Sequence, residues 1–412
     1  MSSKPYSYFC PCPRGMEAAL AEELGEIAVK QPTLKVHNQV PGGVHCSGPL
    51  TDAYQINLHS RIASRVLMRI AHTSYLNEND IYDLALAQPW EDWFSVHCTI
   101  RIDITAIKSP LKSLEFTTLK IKDAICDRFR EQFGERPSVD TKTPDMRIVG
   151  FLDARNVTLY LDTSGEPLFK RGWRLETGDA PLRENLAAGL LRVAGWQPGM
   201  VLFDPMCGSG TILAEAAQML SGIPPGARRS FAFEKFHGFL AAEWSAIKSA
   251  IKANPIPAQP TIFGSDISGD AIIMTRNNLH QAGIHFEVPL KQIEAQEIKP
   301  LTEVPGILLT NPPYGERIGV RGDSSVEDDE LAKQFFSAFG TTLKQRFAGW
   351  KVFLFTADLG LPRLLRLKEA RKTPFFNGAL ECRLFRFDMV QGYHRRDEAK
   401  PKIATATSIQ QD

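Results

Sequence analysis

Apolar positions in the first 160 residues switch between two spacings. Tyr8-Phe9-Cys10 predicts a short strand. Residues 16–24 carry their apolar side chains at helical spacing, and Gly25 follows in a C-cap position. Pro41-Gly42-Gly43 makes a turn, and residues 53–71 return to a helical pattern. Residues 99–106 alternate one by one, the period of a half-buried strand, and residues 113–133 read as a helix closed by Gly134-Glu135-Arg136-Pro137. Residues 146–153 and 156–162 are two further strands. The set predicts a compact α+β module ahead of a larger domain.

Past residue 180 the pattern becomes strand, loop, helix in repetition. Pro181 sits at the first turn of a helix that ends at Trp196-Gln197-Pro198-Gly199. Strands are predicted at 200–204, 261–266, 284–290, 306–309, 351–356 and 380–387, and helices at 212–220 and 331–347. Such alternation predicts an α/β domain on a mostly parallel sheet. Residues 220–260, rich in Pro and Gly, read as an arm on the surface, against substrate. Residues 323–329 read as an acidic loop beside the site, and 393–412 as a polar, disordered tail.

Composition narrows the class. The chain has 412 residues, 43% of them apolar, enough for two or three domains with large cores. The net charge of +1 does not mark a nucleic-acid binder, so the distribution of charge carries more than its sum. No apolar run is long enough to span a bilayer and the N-terminus lacks a signal-peptide layout, so no membrane association is expected. Seven scattered cysteines without a CxxC pair predict a reducing cytoplasm and no structural metal; Cys10-Pro-Cys12 has no partner cluster.

The chemistry gathers at strand ends. Residues 200–204 run through Asp204 into Pro205-Met206-Cys207-Gly208-Ser209-Gly210-Thr211 and a helix, the layout of a nucleotide-type site. There is no Walker lysine and no third glycine of the dinucleotide fingerprint. An acid with two close glycines suits S-adenosylmethionine, whose ammonium needs an acidic neighbour; alternatively, Asp204 caps the helix. Asp266 ends a second strand, where a carboxylate can take ribose hydroxyls, with Ile267 beside it. Glu294-Ala295 lies near where an adenine contact is expected, with Gln292 competing. The strand at 306–309 ends at Asn311-Pro312-Pro313-Tyr314. Two prolines stop the ladder and stiffen the loop. An Asn amide, a free Pro312 carbonyl and the Tyr314 ring suit a flat heterocycle with an exocyclic amine.

These motifs resemble the S-adenosylmethionine-dependent amino-group methyltransferases, and within them the bacterial 23S ribosomal RNA guanine-N2 methyltransferases with an N-terminal THUMP domain. The resemblance covers most of the chain: 61–67, Lys122-Asp123-Ala124-Ile125, 134–137, 161–166, Lys170-Arg171-Gly172-Trp173-Arg174, 180–188, the arm after the glycine loop, and the run through Gly315-Glu316-Arg317. Trp173 stands where Tyr is common. The chain ends before the second methyltransferase domain that some relatives carry, so one catalytic domain is expected. The resemblance implies a Rossmann-like class I methyltransferase domain over 159–392, its seven-stranded sheet mostly parallel with the last strand antiparallel. Ahead of it come a ferredoxin-like segment at 1–50 and a THUMP RNA-binding domain at 51–158.

The expected cofactor contacts are Asp204, Met206, Gly208, Ser209, Gly210, Thr211, Asp266, Ile267, Glu294, Ala295, Asn311, Pro181, Arg183 and Asn185. The substrate amine falls to Asn311, Pro312, Pro313 and Tyr314. Arg61, Arg65 and Arg69, spaced i, i+4, i+8 on the predicted helix, read either as a solvated face or as a stripe that tracks phosphates. Lys120, Lys122, Lys170, Arg171 and Arg317 are further RNA candidates, and nine basic residues against three acids over 363–396 make another basic surface. The expected product is an N2-methylguanine in 23S RNA or a 50S assembly precursor, made by a monomer in ribosome biogenesis. The rivals are N2-guanine methylation of tRNA, N6-adenine methylation, and an RNA-binding assembly factor without activity.

Overall fold

The structure is a computed structural model that describes residues 5–174, 182–313 and 326–390. Its N-terminal half comprises β1 (Tyr6–Pro11), α1 (Glu17–Lys30), β2 (Lys35–Val40), β3 (Gly43–Gly48), α2 (Leu50–His59), β4 (Leu67–Ser74), α3 (Glu78–Leu86), β5 (Ile100–Ala106), α4 (Leu114–Phe133), β6 (Met146–Leu152) and β7 (Asn156–Asp162). The seven strands form one sheet in the order β2-β3-β1-β4-β7-β6-β5. Near residue 50 the sheet is unbroken, because β1 pairs with β4 through Tyr8 with Met68 and Phe9 with Leu67. Local chemistry bounds the helices: Ser113 Oγ accepts from Phe116 N at the start of α4, and Gly134 ends it at φ +75°.

Two expected elements are corrected. Gly25 lies inside α1, which continues to Lys30. The predicted helix over 53–71 stops at His59, and Arg69 lies on β4. Glu23 causes that stop. Its buried carboxylate accepts from Arg61 N and Ile62 N, backbone donors that a continuing helix would have spent on carbonyls, and from the Ser60 hydroxyl. Burial raises the Glu23 pKa, and these three hydrogen bonds pull it back.

The C-terminal half comprises α5 (Glu184–Val193), β8 (Leu202–Asp204), α6 (Thr211–Ser221), α7 (Ala241–Ser249), β9 (Ile262–Asp266), α8 (Gly269–Gln281), β10 (Leu290–Gln292), β11 (Ile307–Thr310), α9 (Val326–Arg346), β12 (Lys351–Thr356), α10 (Leu361–Leu364), β13 (Arg371–Asn377) and β14 (Leu380–Asp388). The sheet order is β10-β9-β8-β11-β12-β14-β13, with β14 antiparallel to both neighbours and the other pairings parallel. The order reverses between β8 and β11, so their carboxyl ends flank the crevice where such sheets take ligands. β13 went unread in the sequence because Pro374 and its basic residues hide its alternation. The third strand is shorter and later than the expected 284–290. One core lies beneath α5 and α6 and is continuous with the N-terminal half; the other lies beneath α9 and α10.

The arm over 220–260, expected on the surface, is instead built into the junction. Phe231, Phe233, Phe236 and Trp244 are buried. Phe233 stacks on Tyr54 at 4.2 Å, and Phe236 meets Trp93 edge-on at 6.2 Å. Each buried ring contributes roughly 1.5–3 kcal/mol. Among the described residues no helix is long and apolar enough to cross a membrane.

Candidate active site

The site begins where β8 runs out. Asp204 is buried at the strand end, and one of its carboxylate oxygens accepts from Met206 N at 3.2 Å. Burial pushes its carboxyl up to about 7, and the nearby charge of Asp266 adds to the shift. The Thr310 hydroxyl tempers this, although it makes no well-directed hydrogen bond among the described residues. A buried acid this reluctant to ionise is ready to receive a cation.

The glycine loop is held from both sides. Gly208 N donates to Asp266 Oδ2 at 2.9 Å, and Ser268 N donates to Asp266 Oδ1 at 3.0 Å. Thr275 Oγ1 donates to Gly208 O at 2.8 Å, and Asn278 Nδ2 to Ser209 O at 3.0 Å. Gly210 caps α6 at φ +76°, and a Cβ there would lie 2.6 Å from Thr275 Cγ2. Gly208, at φ +53°, has open space where a Cβ would stand, so its backbone faces the crevice. Thr275 and Asn278 were not foreseen: on α8 they read as ordinary helix polar positions, and only the packing of α8 on the loop gives them work.

Across the crevice, β11 delivers Asn311 and the buried Pro312. Asn311 Oδ1 is buried and has no hydrogen-bond partner among the described residues. A buried amide oxygen without a donor costs about 1–3 kcal/mol, so this acceptor is paired when a donor arrives. The sheet thus brings Asp204, Gly208, Asp266 and Asn311 to one edge. Ile267 is 64% exposed there, and Gln292 lies opposite Asp266 in register, its Nε2 donating to Ile267 O. Glu294 is exposed, whereas Ala295 packs in the second core. Met206 packs against that core too. Thr211 Oγ1 accepts from Arg174 at 2.8 Å, and Arg174 pairs with buried Glu184 at 2.8 Å. Arg183 is exposed, its guanidinium 5.0 Å over the Phe169 ring. Tyr314, Arg317 and Pro181 lie outside the described residues.

Asn185 is buried: its Nδ2 donates to Ile62 O and Ser64 Oγ of the N-terminal half, and its Oδ1 has no partner among the described residues.

The basic candidates divide. Arg61 and Arg171 are 9% and 1% exposed, and both pair with Glu215 of α6, at 3.0 and 3.1 Å. Arg65 pairs with buried Asp162. Without the helix they do not form a stripe, and burial removes Arg61 and Arg171 from contact with phosphates; this corrects the RNA-facing reading. Arg69 is exposed and donates to Ser7 Oγ at 3.1 Å. Lys120 is half-buried beside Tyr82 and Phe116 and donates to Asn79 Oδ1, Lys122 pairs with Asp123, and Lys170 pairs with Glu166. Glu215 was missed, although one acid in Thr211-Ile212-Leu213-Ala214-Glu215-Ala216-Ala217 could have been flagged as buried.

Comparison with known proteins agrees with this geometry. Residues 171–386 match the family described as RMKL-like, methyltransferase domain; residues 75–162 match the THUMP domain and 7–67 the RlmL ferredoxin-like domain. The chain is 39% identical over 382 residues to a ribosomal RNA large subunit methyltransferase K/L of Psychromonas ingrahamii, covering 91% of this chain and 49% of that protein. It is 34% identical to slr0064 of Synechocystis sp., named as a candidate RNA methyltransferase, covering 93% of this chain and 96% of that protein. The chain spans about half the length of the K/L relatives it matches. Among solved structures, a possible methylase from Clostridium difficile 630 superposes with TM-score 0.82 at 28% identity, covering 95% of this chain and all of that one. SMU.472 complexed with SAH gives 0.80 at 27% identity, over 93% of this chain and 98% of that one.

Proposed function

From the premise that the chain belongs to the RMKL-like methyltransferase family, we propose that it transfers a methyl group from S-adenosylmethionine to the exocyclic N2 amine of a guanine in large-subunit ribosomal RNA. The observation that carries the reading is the buried Asn311 Oδ1, without a hydrogen-bond partner among the described residues, on the strand next to the one that ends at Asp204. When bound, the cofactor supplies an electrophilic methyl group on a positive sulfonium. The residues present suit it: Asp204 for the ammonium, Asp266 for the ribose hydroxyls, and the Gly208–Gly210 backbone for close approach. The SAH complex of SMU.472 supports the same donor.

The amine of guanine is a weak nucleophile, because its lone pair is delocalised into the ring. Asn311 Oδ1 and the Pro312 carbonyl accept its two N–H bonds and favour a pyramidal nitrogen aimed at the methyl group. By its place in the motif, Tyr314 stacks on the base, a contact worth about 1–3 kcal/mol. A paired base cannot reach this crevice, so the guanine is flipped or single-stranded. Asn is a neutral acceptor, so the chain's contribution is positioning, and the proton leaves to solvent after transfer. The THUMP match and the names of the K/L relatives support RNA as substrate.

The test is incubation with labelled cofactor and 50S precursors, tRNA or DNA, followed by nucleoside analysis. N2-methylguanosine in large-subunit RNA is the expected product. N6-methyladenine would favour a second reading, which one structural neighbour raises: the Listeria monocytogenes protein is titled a predicted N6-adenine-specific DNA methylase, at TM-score 0.80 and 26% identity.

A further inference from the structure

A second site lies at the opposite end of the catalytic sheet. Arg371 on β13 sits directly across from Arg386 on β14, and Arg386 sits across from Phe353 on β12. Lys351, two residues before Phe353, shares that face. The three cations line a cavity of about 210 Å³ floored by buried Phe353 and Leu384, with the C-terminal end of α5 at its wall. Like charges directly opposite across an antiparallel pair repel, so this register costs stability unless an anion joins it. Asp388 is the acid on hand: it pairs with Arg386 at 2.8 Å and lies opposite Lys351. Lys351 and Arg371 have no ion-pair partner among the described residues. Asp388 and the half-charge of a helix C-terminus together leave roughly +1.5 on the cavity.

We infer that Lys351, Arg371 and Arg386 form a phosphoryl-binding cradle, distinct from the methyl-donor site. The guanidiniums supply planar forks that match phosphate oxygens, and Lys351 supplies a point charge. The six residues of β12 separate the cradle from the catalytic edge by about 17 Å. A nucleic-acid strand held in the active site therefore reaches it with backbone a few nucleotides away. That source rests on the RNA-substrate reading, whereas a free phosphate or pyrophosphate is bound by the same chemistry without it.

The experiment uses the full chain with Lys351→Ala/Arg371→Ala, and Lys372→Ala as control, a neighbour of equal charge whose cross-strand partner Phe385 lies in the opposite core. Binding of a large-subunit RNA fragment is measured against salt, and thermal protection by pyrophosphate is measured in parallel. The cradle variant is expected to lower the slope of log affinity against log salt by about 0.7 for each single-strand phosphate it no longer neutralises, with the control unchanged. Unchanged RNA binding with loss of pyrophosphate protection identifies free phosphate as the ligand. A cradle variant that matches wild type in both assays, or a control that falls equally, overturns the cradle. Wild-type protein that binds no RNA overturns the RNA reading instead, and the pyrophosphate arm then decides the cradle alone.

Discussion

Arg61, in the loop after α2, is ion-paired at 3.0 Å to Glu215 in the middle of α6, the helix that leaves the glycine loop. Arg171 reaches the other oxygen of the same carboxylate at 3.1 Å and donates to Arg61 O. One buried acid thus joins the N-terminal half to the helix that positions the proposed cofactor loop. Its removal leaves two buried guanidiniums uncompensated. Glu215→Gln is expected to destabilise the protein by about 3–5 kcal/mol. Denaturant unfolding checks this, and a drop of under about 1 kcal/mol would show that the pair is dispensable. Replacing all three groups by apolar residues of similar volume is expected to recover much of the stability.

Asn311→Ala is expected to abolish methyl transfer while the cofactor still binds. Calorimetry with S-adenosylhomocysteine and a single-turnover assay separate the two. Normal turnover would sink the acceptor role.

Asp204 sets a pH dependence. Its carboxyl is raised to about 7 in the fold against an ordinary value near 4, so the folded state holds the proton more tightly than the unfolded one. Stability is therefore greatest below the ordinary value and falls as pH rises from about 4 through 7. A cofactor ammonium favours the carboxylate, so affinity is expected to tighten as pH rises through 7. Isothermal titration from pH 5.5 to 8 measures it; Asp204→Asn should bind weakly with a flat profile, and an equally steep profile in that variant assigns the titration elsewhere.

Asp266→Ala is expected to weaken cofactor binding, because its carboxylate both receives Gly208 N and faces the proposed ribose position. Thr275→Val removes the hydroxyl that holds Gly208 O without changing shape, and is expected to cost about 1 kcal/mol of cofactor affinity, near fivefold. Unchanged affinity in both variants would show that the loop needs neither support.

Several strands of both halves were legible because their signals are local. Asn156–Asp162 and Lys351–Thr356 were read at their observed limits. Asp204, Asp266 and Asn311 each stand at the end of a short apolar run, and the glycines and prolines after them end it for steric reasons that need no partner. Neighbouring residues decide such features. The helix over 53–71 failed for the opposite reason. Its periodicity was sound, but Glu23, 38 residues from Arg61, captured the backbone donors of Arg61 and Ile62 that would have extended it.

Charge roles were least legible. Arg61 and Glu215 are 154 residues apart, and nothing in either neighbourhood tells a buried guanidinium from a solvated one. The arm over 220–260 showed its aromatics but not Tyr54 and Trp93, which receive them. Periodicity and turn chemistry act over a few residues, so the chain alone settled where strands end and which groups stand there. Desolvation and ion pairing depend on what folding brings within about 4 Å, so tertiary packing alone decided that Arg61 and Arg171 brace the junction and that Asn311 Oδ1 is left without a donor among the described residues.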